Sequence, residues 1–347
     1  MMNTLVVRAP MDFGIEKKEV PLTPSGGLLL KILACGLCGS DLRTLRSGHR
    51  KIQLPFTIGH EICARVAKAG KVYSGPWKEG DTLAVSPLVY CGKCIFCRNH
   101  DFEYCPHYRE IAQAWPGGFA EYLALPEEAI AHGTIQRVPE GLDPVHATVV
   151  EPLSSCVNAQ EKGNITLGDS VLIIGAGPIG TLHLELARAR GADQVIFADI
   201  SADRLKMAEV YEPDLMINTL KQDLKEEVLK ITKGVGPSVI ITANPDPATQ
   251  VVAVELARKG GRILLFGGLP ADKAVPGVNM NTVHYNSLHL IGTTIFAPRH
   301  NNVALGLLIK GRISAEKFIS HQFKLMDFNK GAQLALEGRT RKIVFTP

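Results

Sequence analysis

Between residues 170 and 199 an apolar strand, a glycine turn and an amphipathic helix follow one another without spacers. Val171–Ile174 is continuously apolar, Gly175-Ala176-Gly177-Pro178-Ile179-Gly180 follows, and Ile179, Leu182 and Leu186 mark one stripe of a helix that ends at Gly191. A G-x-G-x-x-G alone is only a glycine-rich turn. In this setting the glycines permit a tight turn and close approach of backbone to a pyrophosphate, while the helix N-terminus offers amide donors and a positive dipole end. Asp199 closes the next strand, 19 residues after Gly180. An acid there bonds the ribose hydroxyls of NAD and repels the 2′-phosphate of NADP. Arg204 follows closely and is either a ribose contact or a solvated helix residue. The motif therefore predicts NAD held by Gly175, Gly177, Pro178, Ile179, Gly180, Asp199 and Arg204.

The alternation continues downstream. Gln194–Ala198 reads as a strand, Ser201–Tyr211 as a helix and Ser238–Thr242 as a strand; Asp246-Pro247 opens a helix that ends at Gly260, and Arg262–Phe266 is a further strand. Fully apolar strands alternating with helices predict a parallel sheet covered on both faces, an α/β domain placed at 149–291. Upstream, Asp143-Pro144 is a helix start, with Asp as N-cap and Pro at the first position; the helix should run to about Lys162 and stop at Gly163. Residues 1–148 have another texture. Short apolar segments such as Leu28–Leu33 and Thr82–Val85 stand between proline and glycine turns, which predicts an irregular β-rich domain. Residues 292–347 offer a helix near Asp327–Glu337 and a strand near Lys342–Phe345. That is too little for a domain, so this tail is expected to pack back on the first one.

Composition excludes several classes. A chain of 347 residues with 46% hydrophobic and 21% charged residues is an ordinary globular protein of about two domains, not a disordered one. The net charge of +4 comes without any long Lys/Arg run, so nucleic acid is not an expected partner; the mild basic balance leans weakly toward an anionic substrate. No apolar run approaches the roughly 18 residues of a membrane span, and Met1–Val20 has no signal-peptide core, so the chain reads as cytoplasmic, with no membrane partner.

The cysteines are unevenly placed. Cys91, Cys94, Cys97 and Cys105 fall within fifteen positions in a C-x2-C-x2-C-x7-C pattern. In a reducing compartment such a cluster points to metal rather than disulfides. Four thiolates close a tetrahedral shell around one Zn²⁺ and leave no open position, so this zinc would be structural. An iron–sulfur cluster is the rival, since Pro106 follows Cys105, but the last spacer is not the ferredoxin one. Three further elements carry metal-binding residue types: Cys38-Gly39-Ser40-Asp41, Gly59-His60-Glu61 and Glu151-Pro152-Leu153. Spacing alone does not bring them together.

These elements, with Gly117-Gly118-Phe119-Ala120-Glu121-Tyr122, the cysteine lobe, Gly175–Gly180 and Asp199, occur in an order that resembles the zinc-dependent medium-chain dehydrogenases, among them the polyol and threonine dehydrogenases. The resemblance covers nearly the whole chain. It implies a GroES-like β-rich catalytic domain, built from the N-terminal part and the tail, plus a Rossmann doubly wound domain, with two Zn per chain, one catalytic and one structural. Cys38, His60 and Glu61 match ligand positions of the catalytic zinc. Glu151 matches the polyol-dehydrogenase glutamate that binds the metal directly or through its water, and Ser40 matches the hydroxyl that passes the substrate proton outward. The implied reaction is oxidation of a secondary alcohol of a polyol or polyol phosphate to a ketone, with hydride transfer to NAD. L-Threonine 3-dehydrogenase is the alternative within the class, and a non-catalytic NAD-binding protein the remote one.

Two positions depart from the pattern. Arg43 stands where many relatives have the histidine that ends the proton relay. Arginine does not take up a proton near neutral pH, so Arg43 either holds an anionic substrate group or cofactor phosphate, or is simply solvated. Ala64 replaces a usual glycine. Tyr108–Trp115, Phe56 and Phe296 are candidates for pocket lining or for core. Cys35, Cys63 and Cys156 are left as buried thiols. Relatives are commonly homodimers or homotetramers, with sheet edges meeting near the segment Val275–Leu290 here.

Overall fold

The computed structural model describes all 347 residues. Two compact units emerge, Met1–Ser154 with Phe296–Pro347, and Ser155–Ile295; the sequence reading put the junctions near 149 and 291.

The second unit is a six-stranded parallel sheet. Its strands run in the order Leu215–Asn218, Gln194–Asp199, Ser170–Ile174, Val239–Thr242, Arg262–Leu265, His289–Gly292. Alternation within each apolar strand feeds two cores. Val171, Ile173, Val195, Phe197, Val239 and Ile241 face one side, and Leu172, Ile174, Ile196, Ala198, Ile240 and Ile263 the other. This is why the strands read as unbroken hydrophobic runs: both faces are covered by helices. The order reverses beside Ser170–Ile174, which makes the carboxyl ends of Ser170–Ile174 and Val239–Thr242 the switch point where ligands enter such sheets.

The first unit is built on an eight-stranded sheet. Its main path runs Ile319–Lys324, Lys342–Thr346, Leu28–Gly36, Glu61–Ala69, Thr82–Val89, Arg109–Glu110; Tyr122–Leu125 pairs with Leu28–Gly36 and Gly133–Arg137 with Thr82–Val89. The tail strand lies antiparallel to Leu28–Gly36, with Val344 opposite Gly36 and Phe345 opposite Cys35. Leu30, Ile32, Ile62, Val85, Phe119, Phe328 and Phe345 fill the core.

Two helix expectations change. The segment opened by Asp143, which caps Val145 N at 2.8 Å, is two helices, Pro144–Ala147 and Val150–Lys162. Pro152 lacks the N–H that would bond the Thr148 carbonyl, and the chain turns there; Val149 N instead bonds His146 O at 3.1 Å. The helix opened by Asp246 stops at Leu256, with Ala257 already extended, rather than at Gly260.

Candidate functional site

The first unit gathers Cys38, His60 and Glu61, whose ligand atoms lie within 4.8 Å of one another. Cys38 immediately precedes the helix Gly39–Ser47. His60 and Glu61 stand at the start of the strand Glu61–Ala69, in register with Gly36. Asp41, buried in the first turn of that helix, ties the two ligand segments together. Its Oδ2 accepts from Cys38 N at 3.0 Å, and its Oδ1 lies 3.3 Å from His60 Nδ1. With Nδ1 held by a carboxylate, Nε2 is the nitrogen left for a metal, the usual second partner of a metal-binding imidazole. Burial pulls the His60 pKa down, but Asp41 and the Cys38 thiol outweigh it and hold it well above the ordinary value. Ser40 Oγ stands 3.4 Å from His60 Nε2.

Glu61 is fully buried. Its Oε1 accepts from Lys342 Nζ, which also donates to Leu37 O at 3.0 Å. Oε2 accepts no hydrogen bond but is ion-paired with the same Lys342 ammonium. A Cβ on Gly36 would stand 2.0 Å from that oxygen, so only glycine leaves Glu61 its place. A soft thiolate, an imidazole with its far nitrogen anchored and a carboxylate fit a zinc ion.

Glu151 is not among the atoms within 4.8 Å. It lies in the surrounding electrostatic shell, where burial lifts its pKa to about 7, with His60 opposing and Glu61 reinforcing the shift. Sequence reasoning gave no role to Asp41 or Lys342. It also passed over Glu110, a partly buried carboxylate that interacts with His60 and Lys51 and that burial pushes up. Asp41 sits inside the quoted motif, so a local signal existed; Lys342 and Glu110 are remote in sequence and had none. Trp115 and Phe56 pack against the first unit's core. Phe296 is 1% exposed, a core residue rather than a pocket wall.

The four lobe cysteines also converge, again within 4.8 Å. Cys91 and Cys97 sulfurs are 3.9 Å apart, close to the ~3.8 Å edge of a tetrahedron with 2.3 Å Zn–S bonds. Cys94 Sγ accepts from Cys97 N at 3.4 Å. The amides of Lys93 and Cys94 draw the Cys91 thiol down to about 6, while burial holds Cys97 near 12. The lobe is fastened by Glu103, which pairs with Arg299 at 2.6 Å, and by Tyr90 packed on Phe102. Cys35, Cys63 and Cys156 are buried thiols.

In the second unit Gly175 has φ +122°, a conformation that favours glycine, and a Cβ on Gly180 would stand 1.9 Å from Gly175 O. Gly177 caps the helix Pro178–Ala189 with Pro178 in its first turn. Asp199 Oδ2 accepts from Ala176 N and Oδ1 from Ser201 N, both at 2.7 Å. Asp199, Arg204, Thr219, Asn244 and Thr249 line a cavity of about 420 Å³ beside Gly175. Arg204 Nη1 is 4.0 Å from Asp199 Oδ2.

Family models match two stretches: the alcohol dehydrogenase GroES-like domain over residues 24–139 and the zinc-binding dehydrogenase domain over 178–309. The chain is 30% identical to an L-threonine 3-dehydrogenase of Pyrococcus furiosus, covering 98% of this chain and 97% of that one. It is 29% identical to a sorbitol dehydrogenase of Halalkalibacterium halodurans, 96% of each chain. It is 30% identical to a D-arabitol-phosphate dehydrogenase of Enterococcus avium, over 94% and 91%. Among solved structures, a candidate zinc-binding dehydrogenase of Sinorhizobium meliloti 1021 bound to NADP has TM-score 0.90 at 27% identity, covering 100% and 99%. An alcohol dehydrogenase of E. coli CFT073 complexed with NADH has TM-score 0.89 at 28% identity, with the same coverage. No helix is long and apolar enough to cross a membrane.

Proposed function

Because the chain belongs to the zinc-dependent medium-chain dehydrogenases, we propose that it oxidises a secondary alcohol of a polyol or polyol phosphate to the ketone and passes the hydride to NAD. The observation that carries this reading is the convergence of Cys38, His60 and Glu61, with Asp41 fixing the imidazole. Cys38, His60 and Glu61 would hold a catalytic zinc, with Glu151, whose carboxyl feels both His60 and Glu61, acting on it or on its water; Cys91, Cys94, Cys97 and Cys105 would hold a structural one. Bound there, the catalytic ion supplies a Lewis acid that makes a substrate hydroxyl easier to ionise.

The protein's own groups do the rest. Ser40, exposed and 3.4 Å from His60 Nε2, takes the hydroxyl proton and hands it to solvent, a role Arg43 does not fill. Lys342 balances the charge of Glu61. Asp199 supports NAD over NADP: its carboxylate, fixed by two backbone amides, stands where a 2′-phosphate would be repelled and ribose hydroxyls accepted. For assembly, the edge strand His289–Gly292 pairs on one side only. Val275 and Tyr285 nearby are 94% and 74% exposed, which supports a homo-oligomer joined at this edge.

NAD reduction screened over polyols, polyol phosphates and L-threonine tests the reading, with Cys38→Ser as control. The variant should lose turnover and keep NAD binding, and the wild type should carry two zincs per chain. Near-full activity of Cys38→Ser would exclude the metal assignment.

A further inference from the structure

We propose that Asn158 is a positioning residue for the nicotinamide end of the cofactor: it holds the backbone of Thr294 and Ile295 in the shape that receives the ring's carboxamide. The inference rests on the dinucleotide reading above and adds a determinant of how the ring is held. Asn158 lies on the helix Val150–Lys162 and is 1% exposed. Its Nδ2 donates to Thr294 O at 3.1 Å and to Ile295 O at 2.8 Å. The opposite amide orientation would set an oxygen against two carbonyls, so the partners fix the direction. Oδ1 is buried without a partner. A leucine would fill the same volume without that penalty, so packing does not account for an asparagine here. The clamped backbone does. Ile295 has φ +43°, a left-handed conformation that a β-branched residue adopts only when its surroundings impose it.

The strand His289–Gly292 gives way to this segment. Thr293 N still donates to Leu265 O at 3.3 Å, and Asn158 takes the next two carbonyls. With Thr294 O turned to Asn158, the planar peptide turns the Ile295 N–H the other way, and that amide donates to no group of the protein. Thr294 and Ile295, with Ser155, Phe266 and Thr293, line a cavity of about 200 Å³. Its Phe266 wall stands edge-on to the His183 ring, centroids 4.7 Å apart and planes at 86°. A free amide hydrogen, the hydroxyls of Ser155 and Thr294 and an aromatic wall are complementary to a flat ring carrying a primary amide, which has an acceptor oxygen and two donor hydrogens. The location agrees. Phe266 and Thr293 directly follow the strands Arg262–Leu265 and His289–Gly292. Gly175 and Asp199 stand on the same carboxyl edge, beyond the strand Val239–Thr242. A dinucleotide with one ribose at Asp199 sets its second nucleoside on the other half of the sheet.

Calorimetric titration of the zinc-loaded enzyme with NADH and with ADP-ribose, which keeps the adenosine and both phosphates but lacks the ring, decides it. Asn158→Leu should bind NADH about 5- to 150-fold more weakly, the population cost of releasing one strained residue, and ADP-ribose within about twofold of the wild type. Retained ADP-ribose binding also shows that the second unit has folded. Asn158→Ser, too short to reach both carbonyls, repeats the comparison should the leucine variant not fold. Adding Ile295→Gly should recover part of the loss on NADH, because glycine holds φ +43° without a clamp; a defect of packing around residue 158 would not be rescued from residue 295. Equal weakening of NADH and ADP-ribose, no weakening of either, or no recovery with glycine overturns the assignment. A wild type that binds neither ligand refutes the dinucleotide reading and this inference with it. One that binds both but oxidises no alcohol refutes the dehydrogenase reading alone, and the same comparison still decides the role of Asn158.

Discussion

Lys342→Met tests the charge balance beneath the proposed metal ligands. The Lys342 side chain is 4% exposed and that of Glu61 fully buried. Burial lowers the Lys342 pKa, but Glu61 and then Cys38 overcome it and raise it, so Lys342 keeps its charge near neutrality. Removing one partner of a buried pair strands the other charge and costs about 3–5 kcal/mol. For a unit of roughly 200 residues each kcal/mol moves Tm by about 2–4 °C, so a fall on the order of 10 °C is expected. Adding Glu61→Gln removes the stranded charge, and the double variant should recover most of the loss. The assay is a double-mutant cycle by guanidinium unfolding, run with the catalytic-site metal removed by mild chelation. A cation bound at Glu61 would compensate the carboxylate, so the penalty should be smaller in the zinc-loaded protein. A double variant as unstable as Lys342→Met, or equal penalties with and without metal, would refute the reasoning.

Other positions give separate tests. Burial lowers the His183 pKa to about 3, against about 6.5 when unfolded. Its contribution is complete above pH 6.5 and is lost as pH falls toward 3, because the unfolded chain takes up the proton first; between pH 7.5 and 5 that is about 2 kcal/mol. Urea unfolding of His183→Asn should show a pH dependence flatter by that amount, and an unchanged slope would contradict the burial argument. Asp199→Ala should lower kcat/KM with NAD by about 10- to 150-fold, the value of one or so charged hydrogen bonds, and relax preference toward NADP; an unaltered NAD/NADP ratio would remove its ribose role. Cys97→Ser should lose one zinc per chain by metal analysis and unfold on the order of 10 °C lower, since structural zinc binding is folding energy; full zinc content would rule out the lobe as a metal site.

What the sequence made legible follows from how local each signal is. The interior strands of the second unit are unbroken apolar runs because both faces are covered, and they stand out. The edge strands Leu215–Asn218 and His289–Gly292 were not predicted: each has four residues and is only partly buried, so neither covers a full face. The helix break before Pro152 was readable from the missing N–H, but the Asp143-Pro144 start and the Gly163 stop were read as the ends of one helix. The proposed metal ligands were assigned through the family resemblance, on residue types that spacing alone did not bring together, and their supports divide by distance. Asp41 lies three residues from Cys38 and inside the motif. Lys342 reaches Glu61 across 281 residues, and no spacing rule spans that interval.

This division has a physical cause. A ligand must be one of a few residue types, so a sequence betrays it, whereas a counter-charge need only be a cation of sufficient reach, and any strand that arrives alongside supplies one. Here the arriving strand is Lys342–Thr346. Its backbone pairs with Leu28–Gly36, the strand that leads into Cys38, and Gly36 is the residue whose missing Cβ makes room for Glu61 Oε2. One pairing therefore places both the cation and the space the carboxylate occupies. Slipping that register by one residue would turn Lys342 to the opposite face of the sheet, leaving Glu61 buried and uncompensated. The tail strand is thus part of the electrostatics of the first unit's site as well as of its core.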